Sequence, residues 1–180
     1  MTAKSIFLLP LVALLLLTAT PVLKPVSAAE QRTVQATIPW EGKGRVFQID
    51  SRRMQFLGAL EGIIYVENSK GEMHEGFVQC PIVQTLDLET GTSEAMGHCE
   101  ITAGPEDVVY AEISCKGQVG DCLGKFTLIE GEGKFAGISG EGELRVRSPL
   151  RALVGNQGSG ALVRVASGIA LIRDLKFSTP

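Results

Sequence analysis

Residues 122–144 read CLGKFTLIEGEGKFAGISGEGEL, and this stretch alternates β-forming apolar residues with glycines. Glycine lets neighbouring backbones approach closely and tolerates the turns and bulges that bend a strand. The glycines between Gly131 and Gly142 therefore predict two bent strands joined by a tight connection. Bent strands of this kind are typical of a closed or strongly curved β-sheet.

Turn-forming clusters divide the rest of the chain into runs of alternating or β-branched residues, and no long segment with helical apolar spacing follows residue 29. Asn68-Ser-Lys-Gly71 and Glu89-Thr-Gly91 are two such clusters, and both combine residues that favour tight turns. We predict strands over residues 33–38, 45–50, 55–67, 76–88, 93–102, 108–115, 125–130, 140–148 and 161–177.

About eight or nine antiparallel strands in a chain of this size suit a small barrel or a β-sandwich, since both protect the strand edges. Segments 55–67 and 161–177 favour the barrel. Both exceed a typical strand, and they contain Gly58, Gly62 and Gly168, where a strand can bend around a corner. We therefore predict an all-β fold, an antiparallel eight- or nine-stranded β-barrel. The β-sandwich stays open as the alternative, because both folds alternate apolar and polar residues.

The run from Gly131 to Gly140 has the pattern Gly-x-Gly-x-Phe-x-Gly-x-x-Gly, and it resembles a segment of the allene oxide cyclase and dirigent barrels and of related bacterial secreted proteins. The resemblance covers chiefly residues 122–147. It implies an eight-stranded antiparallel barrel with an apolar cavity that binds a hydrophobic small molecule, and cyclase or isomerase-type chemistry in members that are enzymes. Members of these families form dimers and trimers, so it also implies a homo-oligomer. No catalytic residue of the families can be matched to a position in this chain.

Residues 1–29 have the pattern of a secretory signal peptide. Lys4 precedes a long apolar run, and small residues end the segment at Ala28 and Ala29. We expect cleavage after one of these two alanines, which leaves residues 30–180 as a single β-barrel domain. The rival interpretation is an uncleaved membrane anchor, because the apolar run approaches the length that spans a bilayer. No second run of that length follows, so we predict an exported, periplasmic or secreted protein without membrane contact after cleavage.

The four cysteines all follow residue 29, where an oxidising compartment favours disulfide bonds. Cys80 and Cys99 lie nearly symmetrically about one predicted turn, and Cys115 and Cys122 flank a shorter one. Hairpin geometry would place the members of each pair on adjacent strands, so we rank Cys80–Cys99 and Cys115–Cys122 first. A Cys99–Cys115 bond across the turn between their strands is the main competitor.

Several kinds of chemistry find no support in the sequence. The formal net charge of −3 argues against a nucleic-acid partner. The glycine-rich stretch differs from phosphate loops, because Phe135 follows Gly133-Lys134 where Ser or Thr is required. His74 and His98 lie outside recognised metal-binding spacings, and no Gly-x-Ser-x-Gly hydrolase motif occurs. The sequence therefore predicts neither a metal nor a cofactor.

Polar residues share strand faces with apolar ones at three places in the predicted barrel. Such residues could orient a ligand if they point into an apolar lumen, where a glutamate could act as acid or base and a tyrosine could donate a hydrogen bond. The alternative is that they form the solvated outer face, which antiparallel sheets normally present to water. The candidates for ligand binding are Glu61, Tyr65, Tyr110, Glu112, Arg145 and Arg147.

We therefore predict an exported β-barrel that binds a small, mainly apolar ligand, with cyclase or isomerase-type activity left open. A non-catalytic structural or protein-interaction module with a filled barrel is the alternative, and an enzyme with confined acid–base chemistry is a third interpretation. The barrel interior distinguishes them, because a ligand of this kind needs a cavity of roughly 300 Å³ or more with a few converging polar groups.

Overall fold

The computed structural model describes residues 31–149 and 161–179, in which each strand pairs antiparallel with the next along the chain. β8 then pairs with β1, from Gln31 opposite Ser178 to Val46 opposite Ala161, so the sheet closes into a barrel. A 3₁₀ turn, Gly133–Phe135, separates β6 from β7. The strands are β1 Gln31–Gln48, β2 Arg53–Asn68, β3 Met73–Asp87, β4 Thr92–Thr102, β5 Val108–Gln118, β6 Asp121–Gly131, β7 Ser139–Arg147 and β8 Ala161–Ser178.

This closed antiparallel barrel confirms the predicted fold class, with eight strands, and the sandwich alternative is wrong. The strand count is eight because the predicted segments 33–38 and 45–50 belong to the single strand β1. Trp40, between them, is paired with β2 on one side and β8 on the other. The pairing with β8 shifts register between Gly42 and Gly44, so β1 is irregular at this point without ending.

Side chains alternate between the inner and outer faces along the strands, as the period of two in a β-strand requires. The inner face is almost entirely apolar and forms one continuous core in which Phe126, Ile172 and Val78 are the largest fully buried side chains. We call the end with the β1–β2, β3–β4 and β5–β6 turns the upper end, and the end with the β2–β3, β4–β5 and β6–β7 connections the lower end.

Side-chain acceptors stabilise the turns at the upper end. Asp50 Oδ1, between β1 and β2, accepts hydrogen bonds from the backbone N–H groups of Arg52 at 2.9 Å and Arg53 at 2.8 Å. Its Oδ2 accepts a third from Arg53 Nε at 2.8 Å. These bonds, the one from the Arg52 backbone first, favour the charged carboxylate and lower the pKa of Asp50 to about 2. Asp87 accepts two backbone hydrogen bonds in the same way in the β3–β4 turn.

Both favoured disulfides are confirmed, and the competing Cys99–Cys115 bond is wrong. Cys80–Cys99 joins β3 to β4 and Cys115–Cys122 joins β5 to β6, with all four cysteines buried on the inner face. Two structural disulfides indicate an oxidising location, extracellular or periplasmic. The predicted signal peptide over residues 1–29 lies outside the described residues. Within the part of the chain that the structure describes, no helix is long and apolar enough to cross a membrane.

Candidate functional site

The interior of the barrel contains two small cavities. One has a volume of about 30 Å³ and the other, toward the upper end, about 60 Å³. Four side chains line both cavities, and they belong to Trp40, Leu60, Ile113 and Val146. Pockets that hold small-molecule ligands are commonly about 300–1,000 Å³. The interior is therefore mostly filled by its own side chains, because even the larger cavity has only about a fifth of the lower limit of that range.

A few polar groups face the larger cavity. The Trp40 indole N–H is buried and has no hydrogen-bond partner among the described residues. Gln84 and Ser93 also line this cavity, and the Ser93 hydroxyl donates to the backbone carbonyl of Gln118 at 3.4 Å. A buried N–H without an acceptor costs about 1–3 kcal/mol. Trp40 Nε1 is thus the one fully buried side-chain nitrogen or oxygen of the described ranges that has no hydrogen-bond partner.

The six residues predicted to bind a ligand all occupy outer-face positions, because they alternate with the buried residues of their strands. Their side chains therefore point away from the lumen, although a lumen site requires them to point inward. The outer-face arrangement, which the sequence left open, is present instead. Their role in binding a ligand stays a prediction. They are Glu61, Tyr65, Tyr110, Glu112, Arg145 and Arg147.

The two arginines of this set are engaged with an aspartate on the neighbouring strand. Arg145 Nε and Nη2 donate to the two carboxylate oxygens of Asp121 at 2.9 and 2.6 Å. This bidentate pairing raises the pKa of Arg145 and lowers that of Asp121. Arg147 Nε lies 3.9 Å from the same carboxylate. These side chains therefore form a cross-strand ion pair on the outer wall.

The two tyrosines lie in different surroundings. Tyr110 is half-buried on the outer wall, and its hydroxyl donates to Glu132 Oε1 at 2.9 Å. Tyr65 is 37% exposed and borders a surface hollow of about 380 Å³ near the lower end together with Thr37 and Met73. The structure does not bring these two rings together, since Tyr65 is on β2 and Tyr110 on β5.

The outer wall of β2, β3 and β4 carries two rows of exposed apolar side chains. Cross-strand register places Leu57 beside Val83 and Val83 beside Met96, and these side chains are 37–56% exposed. We call these three residues the upper apolar row. Ile63 and Phe77, also directly paired, form the lower apolar row, at 38% and 47% exposed. Leu57 and Ile63 are six positions apart in β2, so the two rows are about 20 Å apart at the rise of a β-strand.

A row of acidic side chains runs between the two apolar rows and continues around the barrel. Each member is the register partner of the next, from β1 to β6. Glu61 accepts a hydrogen bond from Gln79 Nε2 at 3.2 Å, and the four carboxylates form no ion pair within the described ranges. We call this set the acidic row: Glu41, Glu61, Gln79, Glu100, Tyr110 and Glu130.

Tyr110 lies beside Glu132, which is outside the acidic row, and near two carboxylates of the row, Glu100 and Glu130. Its pKa is raised, first by the hydrogen bond to Glu132, then by partial burial, and further by the negative charges of Glu132, Glu100 and Glu130. The opposite wall differs, because its charges are matched across strands. On that wall, for example, Lys125 Nζ lies 3.2 Å from Glu141 Oε2 and forms an ion pair with it.

We define the docking face as the part of the outer wall of β2–β4 that is formed by both apolar rows and by Glu61, Gln79 and Glu100 of the acidic row, which lie between them. Sequence reasoning identified only one of its residues, Glu61, as a candidate. The other residues of the docking face could have been found from apolar residues, such as Phe77 and Met96, that share a strand face with polar or charged residues. This pattern could be interpreted only with the strand register, which shows which residues of adjacent strands are neighbours.

No three His, Cys, Asp or Glu side chains in residues 31–149 and 161–179 are grouped so that they could hold a metal ion. Comparison with protein-family models, with curated proteins and with solved structures gives no match. The resemblance to the allene oxide cyclase and dirigent barrels therefore stays a prediction.

Proposed function

We propose that this protein is a non-catalytic interaction module that binds another protein through the docking face. The observation that carries the proposal is the contrast between a mostly filled interior and an outer wall with exposed apolar rows. The small interior cavities give little support to a ligand held inside the barrel. Function is then more readily supported by the outer surface, where contiguous exposed apolar side chains mark interaction sites.

The composition of the docking face suits a protein partner. Met96 and Phe77 are 56% and 47% exposed, and residues of these two types are enriched in protein interfaces. A sheet wall closed into a barrel is also rigid, so little conformational entropy is lost on docking.

The proposed site of action is an extracytoplasmic compartment. The two disulfides support an oxidising environment, and we propose that residues 1–29 direct export and are then removed. Mass spectrometry of the exported chain tests this. A mature N-terminus at Ala29 or Glu30 would support export by cleavage, whereas a membrane-bound chain that retains Lys4 would support the anchor.

The test of the interaction uses the mature chain as bait in the extracytoplasmic fraction of its natural host. The bait variant carries Phe77→Ser and Met96→Ser. Leu123→Ser on β6 is the matched control, because Leu123 is 62% exposed outside the docking face. A partner identified by mass spectrometry should bind the wild type and the control in calorimetry with the purified components. Equal binding by the double variant would show that the docking face is not the site.

Binding of a small, mainly apolar ligand, with cyclase or isomerase-type chemistry, is the second candidate. The unpaired indole N–H of Trp40 beside the larger cavity supports it, because a ligand with an acceptor atom would satisfy that donor. Native mass spectra before and after extraction with organic solvent test this candidate. A discrete adduct that extraction removes would favour it over the interaction module.

A further inference from the structure

The acidic row places like charges next to each other without compensation. Glu41 and Glu61 are directly opposite each other in the β1–β2 register, and both are exposed. Like charges in directly opposed cross-strand positions destabilise a sheet. Neither carboxylate has an ion-pair partner in the described ranges, so no direct salt bridge offsets the repulsion. This pair is therefore not explained by the stability of the fold.

The opposite wall shows that the same chain compensates charge elsewhere. Lys125 Nζ lies 3.2 Å from Glu141, and Arg145 Nη2 lies 2.6 Å from Asp121. Both pairs join neighbouring strands, where opposite charges stabilise the sheet. Glu61 and Glu100, in contrast, form no ion pair within the described ranges and lie between the two apolar rows, which are the surfaces proposed above for a protein partner.

We propose that the partner of the docking face is a basic protein segment, with lysine or arginine side chains that pair with Glu61 and Glu100 and apolar side chains that contact the rows on either side. This inference rests on the proposed function and specifies the partner's chemistry. Charge complementarity carries it, because an acidic partner would face uncompensated repulsion.

A second copy of this chain is a poorer occupant of the same face. A two-fold contact through the docking face would bring the same patch of both subunits together. Glu61 and Glu100 of one subunit would then approach the acidic row of the other. Burial of like charges in an interface costs several kcal/mol, so a symmetric dimer through this face is disfavoured.

The test uses three short synthetic peptides as probes, one of alternating lysine and leucine, one of glutamate and leucine, and one of lysine and serine. Calorimetry with the mature chain measures their affinities at low and physiological salt. We expect the lysine–leucine peptide to bind most tightly and to weaken as salt rises. The serine peptide lacks apolar contacts, and the glutamate peptide is repelled.

Variants on two walls locate the site of binding. Glu61→Gln with Glu100→Gln should weaken binding of the lysine–leucine peptide about tenfold, because each exposed ion pair contributes up to about fivefold. Glu141→Gln with Glu143→Gln on β7 is the control, since it changes the net charge equally and leaves the docking face intact. All four side chains are exposed, so near-ultraviolet circular dichroism should show unchanged folds.

Two results would overturn the inference. The first is an equal loss of affinity in the two double variants, which would show that the peptide responds only to net charge. The second is an affinity for the lysine–serine peptide equal to that for the lysine–leucine peptide, which would show that the apolar rows do not take part in binding. If a natural partner depends on Phe77 and Met96 but not on Glu61 and Glu100, the basic partner is wrong and the interaction module stands. If it depends on neither pair, both proposals fall.

Discussion

Trp40 on β1 and Gly168 on β8 face each other directly across the seam that closes the barrel, and the indole ring occupies the space beside the glycine. A Cβ added to Gly168 would lie 2.8 Å from Cε2 of the ring and closer still to Cζ2. On the other side, the register partner of Trp40 in β2 is Gly62. The largest side chain of the chain thus fits into the inner face because its partner in β8 lacks a side chain, whereas a Cβ at Gly62 would meet the backbone of Pro39 and Trp40.

Gly168→Ala should therefore destabilise the barrel by about 1–3 kcal/mol, as over-packing of a filled core does. Urea denaturation followed through tryptophan fluorescence measures this, since Trp40 is the only tryptophan. Gly104→Ala is the control, because a Cβ there would meet only the side chain of Asp107. Equal midpoints for the wild type and Gly168→Ala would contradict the packing argument.

Trp40→Phe should change the free energy of unfolding by no more than about 1 kcal/mol. The smaller ring loses buried area, but the change also removes a buried N–H that has no acceptor among the described residues. Trp40→Ala should cost about 3–5 kcal/mol, because it leaves a cavity. Circular dichroism during urea denaturation compares the two. Similar losses in both variants would mean that the indole N–H contributes a favourable hydrogen bond.

Removal of the Cys80–Cys99 bond should cost more stability than removal of the Cys115–Cys122 bond. The bonds close loops of 19 and 7 residues, for which the chain-entropy model gives about 3 and about 2 kcal/mol. Paired Cys→Ala variants compared by urea denaturation test the order. A larger loss from the Cys115–Cys122 pair would show that core packing, rather than loop closure, dominates.

The stability supplied by Asp50 should depend on pH. Its pKa falls from 3.8 to about 2 on folding, so its contribution is complete above the unfolded value. That contribution decreases as the pH falls below 3.8 toward 2. Asp50→Asn keeps an acceptor oxygen in the β1–β2 turn and removes the charge. The difference in urea midpoint between wild type and variant should therefore shrink between pH 5 and 2. A difference independent of pH would mean that the charge has no role.

The sequence by itself was sufficient for the class of fold and for the disulfides. Turn-forming clusters and alternation are local signals, and they predicted an antiparallel barrel because strand hairpins follow from adjacent segments. Cys80 and Cys99 could be paired in the same way, since residues at equal distances from a hairpin turn lie opposite each other. The strand count needed the structure, because the irregularity near Gly42 and Gly44 leaves β1 continuous.

Only the tertiary structure decided which faces point inward and which residues are neighbours. Alternation has the same period whichever face is buried, so Glu61 and Tyr110 could not be assigned to the lumen or the surface from sequence. Closure of the sheet assigned them to the outer wall and filled the interior around Trp40. The pairing of Glu41 with Glu61 likewise depends on register between strands, which is a property of the closed sheet rather than of any single segment.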